Sequence, residues 1–199
     1  MNLDKFSESS NTVLRIDDIS VNISYERLEF LLKKAKDKFP DLTILLAVSP
    51  AVFNMKDRDG ENATERIFPS ILNAFSDQRV FYKVEKIGLP DWLNDISERY
   101  GARLASHGLI HVDHRLLEFS AQEMSILTST SLLGSEIFVP PFNKYNKDTL
   151  QICHDNDIEL IKWEDGWKHL SYQHFKDDGS KYYMHLHDFP GDKIVSLFE

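Results

Sequence analysis

Two short stretches of this 199-residue chain concentrate groups that can hold a cation and move a proton: Asp17-Asp18 and His107-Gly108-Leu109-Ile110-His111. Adjacent carboxylates repel one another unless a cation or a shared proton accommodates them. A bound metal resolves that repulsion and divides the labour, because one carboxylate ligates while its neighbour stays free to take a proton from water. Imidazoles four residues apart point the same way on a helical turn and can grip one ion. Each signal is weak alone. An Asp-Asp pair is commonly a solvated loop with one member capping the next helix, and two histidines are commonly surface or capping residues. His114 makes the second region simply histidine-rich. The chemistry becomes specific only if the two stretches meet.

The intervening pattern predicts that they do. Val13 to Ile16 is a β-type run that stops at Asp17-Asp18, and Ser24 then precedes Leu28, Leu31, Leu32, Ala35 and Phe39 at helical spacing. Leu42 to Val48 reads as a buried strand ended by Pro50, followed by a polar surface insertion from Asn54 to Arg66. Val80 to Val84 is a further strand. Trp92, Leu93, Ile96 and Tyr100 mark a helix that Gly101 closes. Leu104 to Ser106 leads into His107, and Ser120-Ala121-Gln122-Glu123 resembles a capping box for a helix running to Leu133 and Gly134. Ile137 to Val139 runs into Pro140-Pro141, a helix spans Lys147 to Asn156, Ile158 to Ile161 is strand-like, and Tyr182 to Leu186 is the last strand. Strands alternating with helices indicate parallel α/β structure. A chain this short is at the small limit for a closed eight-fold barrel, so the expected fold is one domain, 1–199, forming a distorted or incomplete (β/α) barrel of about seven parallel strands. In such folds the strand C-termini share one face. Asp17-Asp18, His107 with His111, Asp165 with Trp167, and His187 all follow strands and would converge there.

Composition narrows the function classes. Thirty-two acidic residues against 23 basic ones give a net charge of −9, which argues against general nucleic-acid or anionic-membrane binding. The single cysteine, Cys153, permits no intrachain disulfide. No apolar run is long enough to span a bilayer, and the N-terminus carries neither a basic cluster nor an apolar stretch, so the expectation is a cytoplasmic protein without membrane insertion. Oligomeric state leaves no mark in the sequence.

The motifs, in order from Arg15 to His187, resemble the polysaccharide deacetylases related to the chitooligosaccharide deacetylase NodB, which hydrolyse N-acetyl groups from sugars with a divalent metal. Ile16-Asp17-Asp18 is similar to the family's first motif, which implies Asp17 as general base and Asp18 as metal ligand. His107 and His111 match its histidine pair and would be the other two ligands. Val139-Pro140-Pro141-Phe142 is similar to the third motif, whose last residue offers its backbone N–H to the oxyanion. Asp165-Gly166-Trp167 resembles a fourth. Leu186-His187-Asp188 matches the fifth and implies His187 as general acid. Gly108 to His114 and Pro140 to Lys144 look closest to bacterial members associated with O-antigen biosynthesis. The third motif normally begins with an arginine that orients the base, and Val139 stands there instead. Either Arg15, Arg115 or another cation replaces it, or Asp17 works unpartnered, or activity has been lost.

By this resemblance the reaction is amide hydrolysis on an N-acetylated sugar or glycan precursor. Zn²⁺ is the first choice of metal for one carboxylate and two imidazoles, although Co²⁺, Ni²⁺ or Mn²⁺ suit the same ligands. His187 must carry a proton beside a metal and needs an acidic neighbour: Asp165 first, Asp188 second. Phe142, Trp163 and Trp167 follow strands on the same rim and are positioned to contact a sugar or acetyl group, with Trp163 the one best assigned to ordinary packing. Trp92 belongs to the buried stripe of its helix, and His154, His169 and His174 read as surface residues. Two rivals stand beside this reading. His185-Leu186-His187 also puts two imidazoles on one strand face, as in metal-dependent amidohydrolases. A glycan-binding protein on the same fold, without catalysis, would explain Val139.

Overall fold

Parallel pairing starts from β1 (Val13–Ile19), whose β-branched and apolar residues pair with β2 (Thr43–Val48) on one side and with β9 (Lys181–His185) on the other. The structure is a computed structural model, and it describes residues 11–20, 23–56, 81–87, 89–170, 174–188, 194 and 196–198. Beyond β2 lie β5 (Ala102–Ser106), β6 (Ile137–Phe138) and β7 (Glu159–Leu160), and beyond β9 lies β8 (Lys168–His169). The order β7-β6-β5-β2-β1-β9-β8 is parallel throughout and curls into a half-barrel. The expected incomplete barrel of about seven strands is therefore the observed one.

Its membership differs from the expectation in two places. Part of the segment read as a polar insertion is β3 (Ala51–Lys56), which pairs antiparallel with β4 (Phe81–Ile87) in a separate two-stranded sheet. β4 is thus not a barrel strand, and the remainder of the insertion, 57–66, lies outside the described residues. The seventh place is taken by β8, whose two residues are too few to leave a periodic signal. Helices α1 (Tyr25–Lys38), α2 (Leu93–Tyr100), α3 (Phe119–Leu133) and α4 (Lys147–Asp155) connect the strands. Helix α3 begins at Phe119 with Glu118 as its N-cap and no side-chain capping bond, so Ser120 lies inside the first turn rather than capping it.

Strand alternation sorts the core into two layers. Leu14 and Ile16 of β1 pack outward with Leu28, Leu31, Leu32 and Ala35 of α1, each leucine contributing about 1.5–3 kcal/mol through burial. Val13 faces the inside of the curl with Leu45, Ala47, Ala105, Ile137, Val139, Ile161 and Trp167. Arg15 and Asp17 share that inner face. A guanidinium and a carboxylate thus sit inside the half-barrel, where uncompensated charge is expensive.

Candidate metal centre and catalytic groups

Arg15 and Asp17, two residues apart on β1, meet side by side. Arg15 Nε and Nη2 donate to the two Asp17 carboxylate oxygens, both at 2.8 Å, and the pair is buried. Such a fork fixes the orientation of the carboxylate. The guanidinium lies 4.7 Å from the Trp167 ring and 4.8 Å from the Tyr183 ring, and Nη2 also donates to Asn143 Oδ1 at 2.7 Å. Of the cations weighed for the missing arginine, Arg15 is the one on Asp17. Arg115 instead pairs with Asp113.

Asp18 would face away from Asp17 on a regular strand. The β1–β2 register shifts between Ile16 and Ile19, and Asp18 has φ +62°, a conformation that Asp tolerates better than most residues. This irregularity turns Asp18 Oδ1 to within 3.4 Å of His107 Nε2 and 3.1 Å of His111 Nε2. Burial opposes ionisation of Asp18, but hydrogen bonding and charge at the two imidazoles outweigh it and hold the carboxyl well below the usual carboxylate range.

The histidine pair does not lie on a helical turn as its spacing suggested. His107 to Asp113 is a loop, begun by Gly108 at φ +76°, and it still brings the two rings to a centroid distance of 4.9 Å. A Cβ at Gly108 would meet His114 Cε1 at 2.7 Å and the Ile110 carbonyl oxygen at 2.9 Å, so only glycine fits. The Val139 carbonyl lies 2.8 Å from His107 Nδ1, an arrangement that leaves Nε2 free to ligate. Valine in the third motif thus acts through its backbone. Helix α3 secures the loop from behind: Ser125 Oγ accepts from Leu109 N and lies 3.1 Å from His114 Nε2, while Ser129 Oγ meets Ser106 Oγ. Burial pushes His114 down to about 4, so it is a neutral scaffold residue at ordinary pH.

The ligating atoms of Asp18, His107 and His111 lie within 4.8 Å of one another. The edges of 3.1 and 3.4 Å suit a tetrahedron with bonds of 2.0–2.1 Å, whose edge is about 3.3 Å. The donor set and its spacing fit a divalent cation with a further position left for solvent or substrate.

Above this group, Phe142 and Asn143 both adopt left-handed backbone, with φ +57° and +56°. The hydrogen bonds of that turn run from Asn143 N to Pro140 O and from Lys144 N to Pro141 O, so the Phe142 N–H is not one of them. The Phe142 ring is exposed and lies edge-on to His111 at 4.4 Å.

From β9, His185 stands opposite Asp17 in the ladder, with Nε2 3.9 Å from Asp18 Oδ2 and Nδ1 3.1 Å from Asp188 Oδ2. The His187 side chain lies outside the described residues. Asp165 accepts from Lys162 N at 3.0 Å and serves its own short turn, whereas Asp188 is the carboxylate beside a β9 histidine. Trp167 and Trp163 exchange their expected places: Trp167 is buried under Arg15, and Trp163 is exposed with its edge toward Tyr183. Sequence reasoning gave no role to Asn143 or Tyr183, took His169 for a surface residue, and weighed His185 only as a rival metal ligand. Strand alternation carried the signal for Arg15 with Asp17 and for Tyr183 with His185. Nothing in the sequence marked the bond from Arg15 to Asn143, 128 residues away.

No protein-family model matches the sequence, and no curated protein matches it. Solved structures match its fold. BA3943, a CE4 family pseudoenzyme from Bacillus anthracis, has a TM-score of 0.57 at 10% identity, over 96% of this chain and 58% of that one. A family 4 carbohydrate esterase from Streptomyces lividans, solved in complex with acetate, has a TM-score of 0.54 at 9% identity, over 94% and 83%. The Bc1960 peptidoglycan N-acetylglucosamine deacetylase has a TM-score of 0.57 at 10% identity, over 98% and 80%. This chain thus shares the CE4 fold while spanning little more than half the length of BA3943. A fold that holds both a pseudoenzyme and a deacetylase does not by itself decide activity, which rests on the residues of the site.

Proposed function

We propose that this protein is a metal-dependent de-N-acetylase of an N-acetylated sugar, acting on a precursor of a bacterial surface polysaccharide such as O-antigen. The observation that carries the reading is the meeting of Asp18, His107 and His111 around one point, with an ionisable carboxylate, Asp17, on the adjacent residue. Zn²⁺ suits this donor set first. When bound, a divalent cation supplies Lewis-acid polarisation of the acetyl oxygen and brings the pKa of a water toward ~7.

The protein's own groups supply the remaining steps. Asp17, held in one orientation by Arg15, takes the proton of the attacking water. The Phe142 N–H provides a preorganised donor for the oxyanion, a contribution of about 3–4 kcal/mol in comparable sites. The amine departs with a proton from the β9 end of the barrel. Among the described residues we assign that donor to His185, backed by Asp188; His187, which the motif order implies, is the second candidate. Trp163 and Phe142 are the exposed aromatic surfaces available to a sugar ring.

The test is acetate release from a panel of free, nucleotide-linked and lipid-linked N-acetyl sugars, with the metal content measured in the same samples. Wild type should release acetate from at least one of them. Asp17→Asn should not, while keeping its metal. His185→Ala and His187→Ala, compared directly, identify the proton donor. A metal-loaded protein that releases nothing from the whole panel would favour the second reading, a non-catalytic glycan-binding protein on a fold that the pseudoenzyme BA3943 also has.

A further inference from the structure

Next to the Asp18 centre, the described residues hold a second set with the same donors: His169 on β8, His185 at the end of β9, and Asp188 in the turn that follows. The register of the two strands builds it. His169 pairs with Tyr183, and His185 lies two residues further along the same face. The Tyr183 ring packs edge-on against His169 at 4.5 Å. Arg27, reaching from α1, donates to the Leu186 carbonyl and so ties down the turn that carries Asp188. His169 Nε2 is 3.4 Å from His185 Nδ1 and 3.5 Å from Asp188 Oδ2, and His185 Nδ1 is 3.1 Å from the same oxygen. These three edges fit one face of a tetrahedron around a zinc-sized ion as well as the Asp18 set does. The nearby guanidinium of Arg15 does not oppose a cation as a bare charge would, because Asp17 neutralises it.

We propose that His169 Nε2, His185 Nδ1 and Asp188 Oδ2 form a second divalent-cation site, separated from the first by the His185 ring. Each filled centre carries one net positive charge after its carboxylate is counted. Two such charges one imidazole apart weaken the second binding step by about a hundredfold relative to an isolated site of the same donors. Loading this site ties His185 to a cation and withdraws it from the leaving amine, so excess metal inhibits hydrolysis. The inhibition rests on the function proposed above; the binding does not.

The experiment titrates the metal-free full chain with Zn²⁺ alone, by calorimetry and by metal content at saturation, with circular dichroism confirming that each variant is folded. Wild type should take up two equivalents in two steps. Asp18→Ala should lose the tighter step, and His169→Ala and Asp188→Asn should each lose the weaker one. Acetate release by wild type should fall over the Zn²⁺ range that fills the weaker step, and that fall should be missing from His169→Ala. A wild type that saturates at one equivalent overturns the proposal. So does a second equivalent that persists in both His169→Ala and Asp188→Asn, which would assign it to surface histidines such as His154. Two-step binding without any acetate release would leave this site standing and remove the deacetylase reading alone.

Discussion

Arg15 ties several parts of the site together, since it fixes Asp17, reaches Asn143 and fills the gap between Trp167 and Tyr183. Arg15→Leu leaves a carboxylate buried without its partner and should cost about 3–5 kcal/mol of stability, read as a lowered denaturant midpoint. Arg15→Lys keeps a charge but loses the fork. Its kcat should fall on the order of a hundredfold, with metal content unchanged, because Asp17 is no longer held in line with the attacking water. Val139→Arg, which introduces the arginine of the motif that Val139 to Phe142 resembles, should impair the protein rather than improve it. Val139 is fully buried in the inner layer, and a second guanidinium there would have no carboxylate left to pair with. Higher kcat in Val139→Arg would show that Arg15 does not do the work assigned to it. The sequence offers Arg15 as one of several candidates for the cation beside Asp17, and the strand's period of two puts it on the face of Asp17. The choice among them needed a measured contact.

The loop from His107 to His114 shows how a correct spacing can be right for a different reason. Four residues separate the imidazoles on a helical turn, but here the separation is bridged by a left-handed Gly108, and the loop is supported by a row of α3 hydroxyls. The sequence therefore made the proposed ligands legible and concealed their support, because Ser125 and Ser129 look like ordinary polar positions of a helix. β3 was obscured for a related reason: its pairing partner, β4, lies some 25 residues further along the chain, beyond the reach of a local pattern. Gly108→Ala must place a methyl group against a backbone oxygen and a packed ring at positive φ. It should destabilise by about 1–3 kcal/mol and weaken metal binding in the same measurement. His114 makes the loop sensitive to acid. Burial holds its pKa at about 4 in the folded protein, below the ~6.5 of a free imidazole, so the unfolded chain binds the proton more readily. The contribution is complete above pH ~6.5 and is lost as pH falls toward 4, about 2 kcal/mol of it by pH 5. Unfolding curves of wild type and His114→Asn at pH 7.5 and pH 5 test this: the wild type should lose more stability between the two than the variant does. Equal losses would mean that His114 is not buried in its neutral form.

In the half-barrel the proposed ligands come from β1 and from the loop after β5, and contacts within the protein orient them and the neighbouring Asp17. The Val139 carbonyl sets the His107 ring, Arg15 sets Asp17, Ser49 Oγ donates to the His107 carbonyl, and the break in the β1–β2 ladder turns Asp18 toward the imidazoles. The core beneath them is continuous from α1 through β1, β2 and β9. If the proposed site binds a metal, a chain built this way should fold without it, unlike a small domain whose metal is its core. Removing the ion should therefore leave the far-UV circular dichroism unchanged while lowering the melting temperature. At a metal concentration about 1,000 times Kd the ion contributes ~4 kcal/mol, which for a domain of this size corresponds to roughly 8–16 °C. Chelation should produce that drop, readdition should reverse it, and Asp18→Ala should show neither change. If chelation instead abolished the helical signal, the ligands would be held together by the ion rather than by the sheet, and the preorganisation on which Asp17 depends would be absent from the metal-free chain.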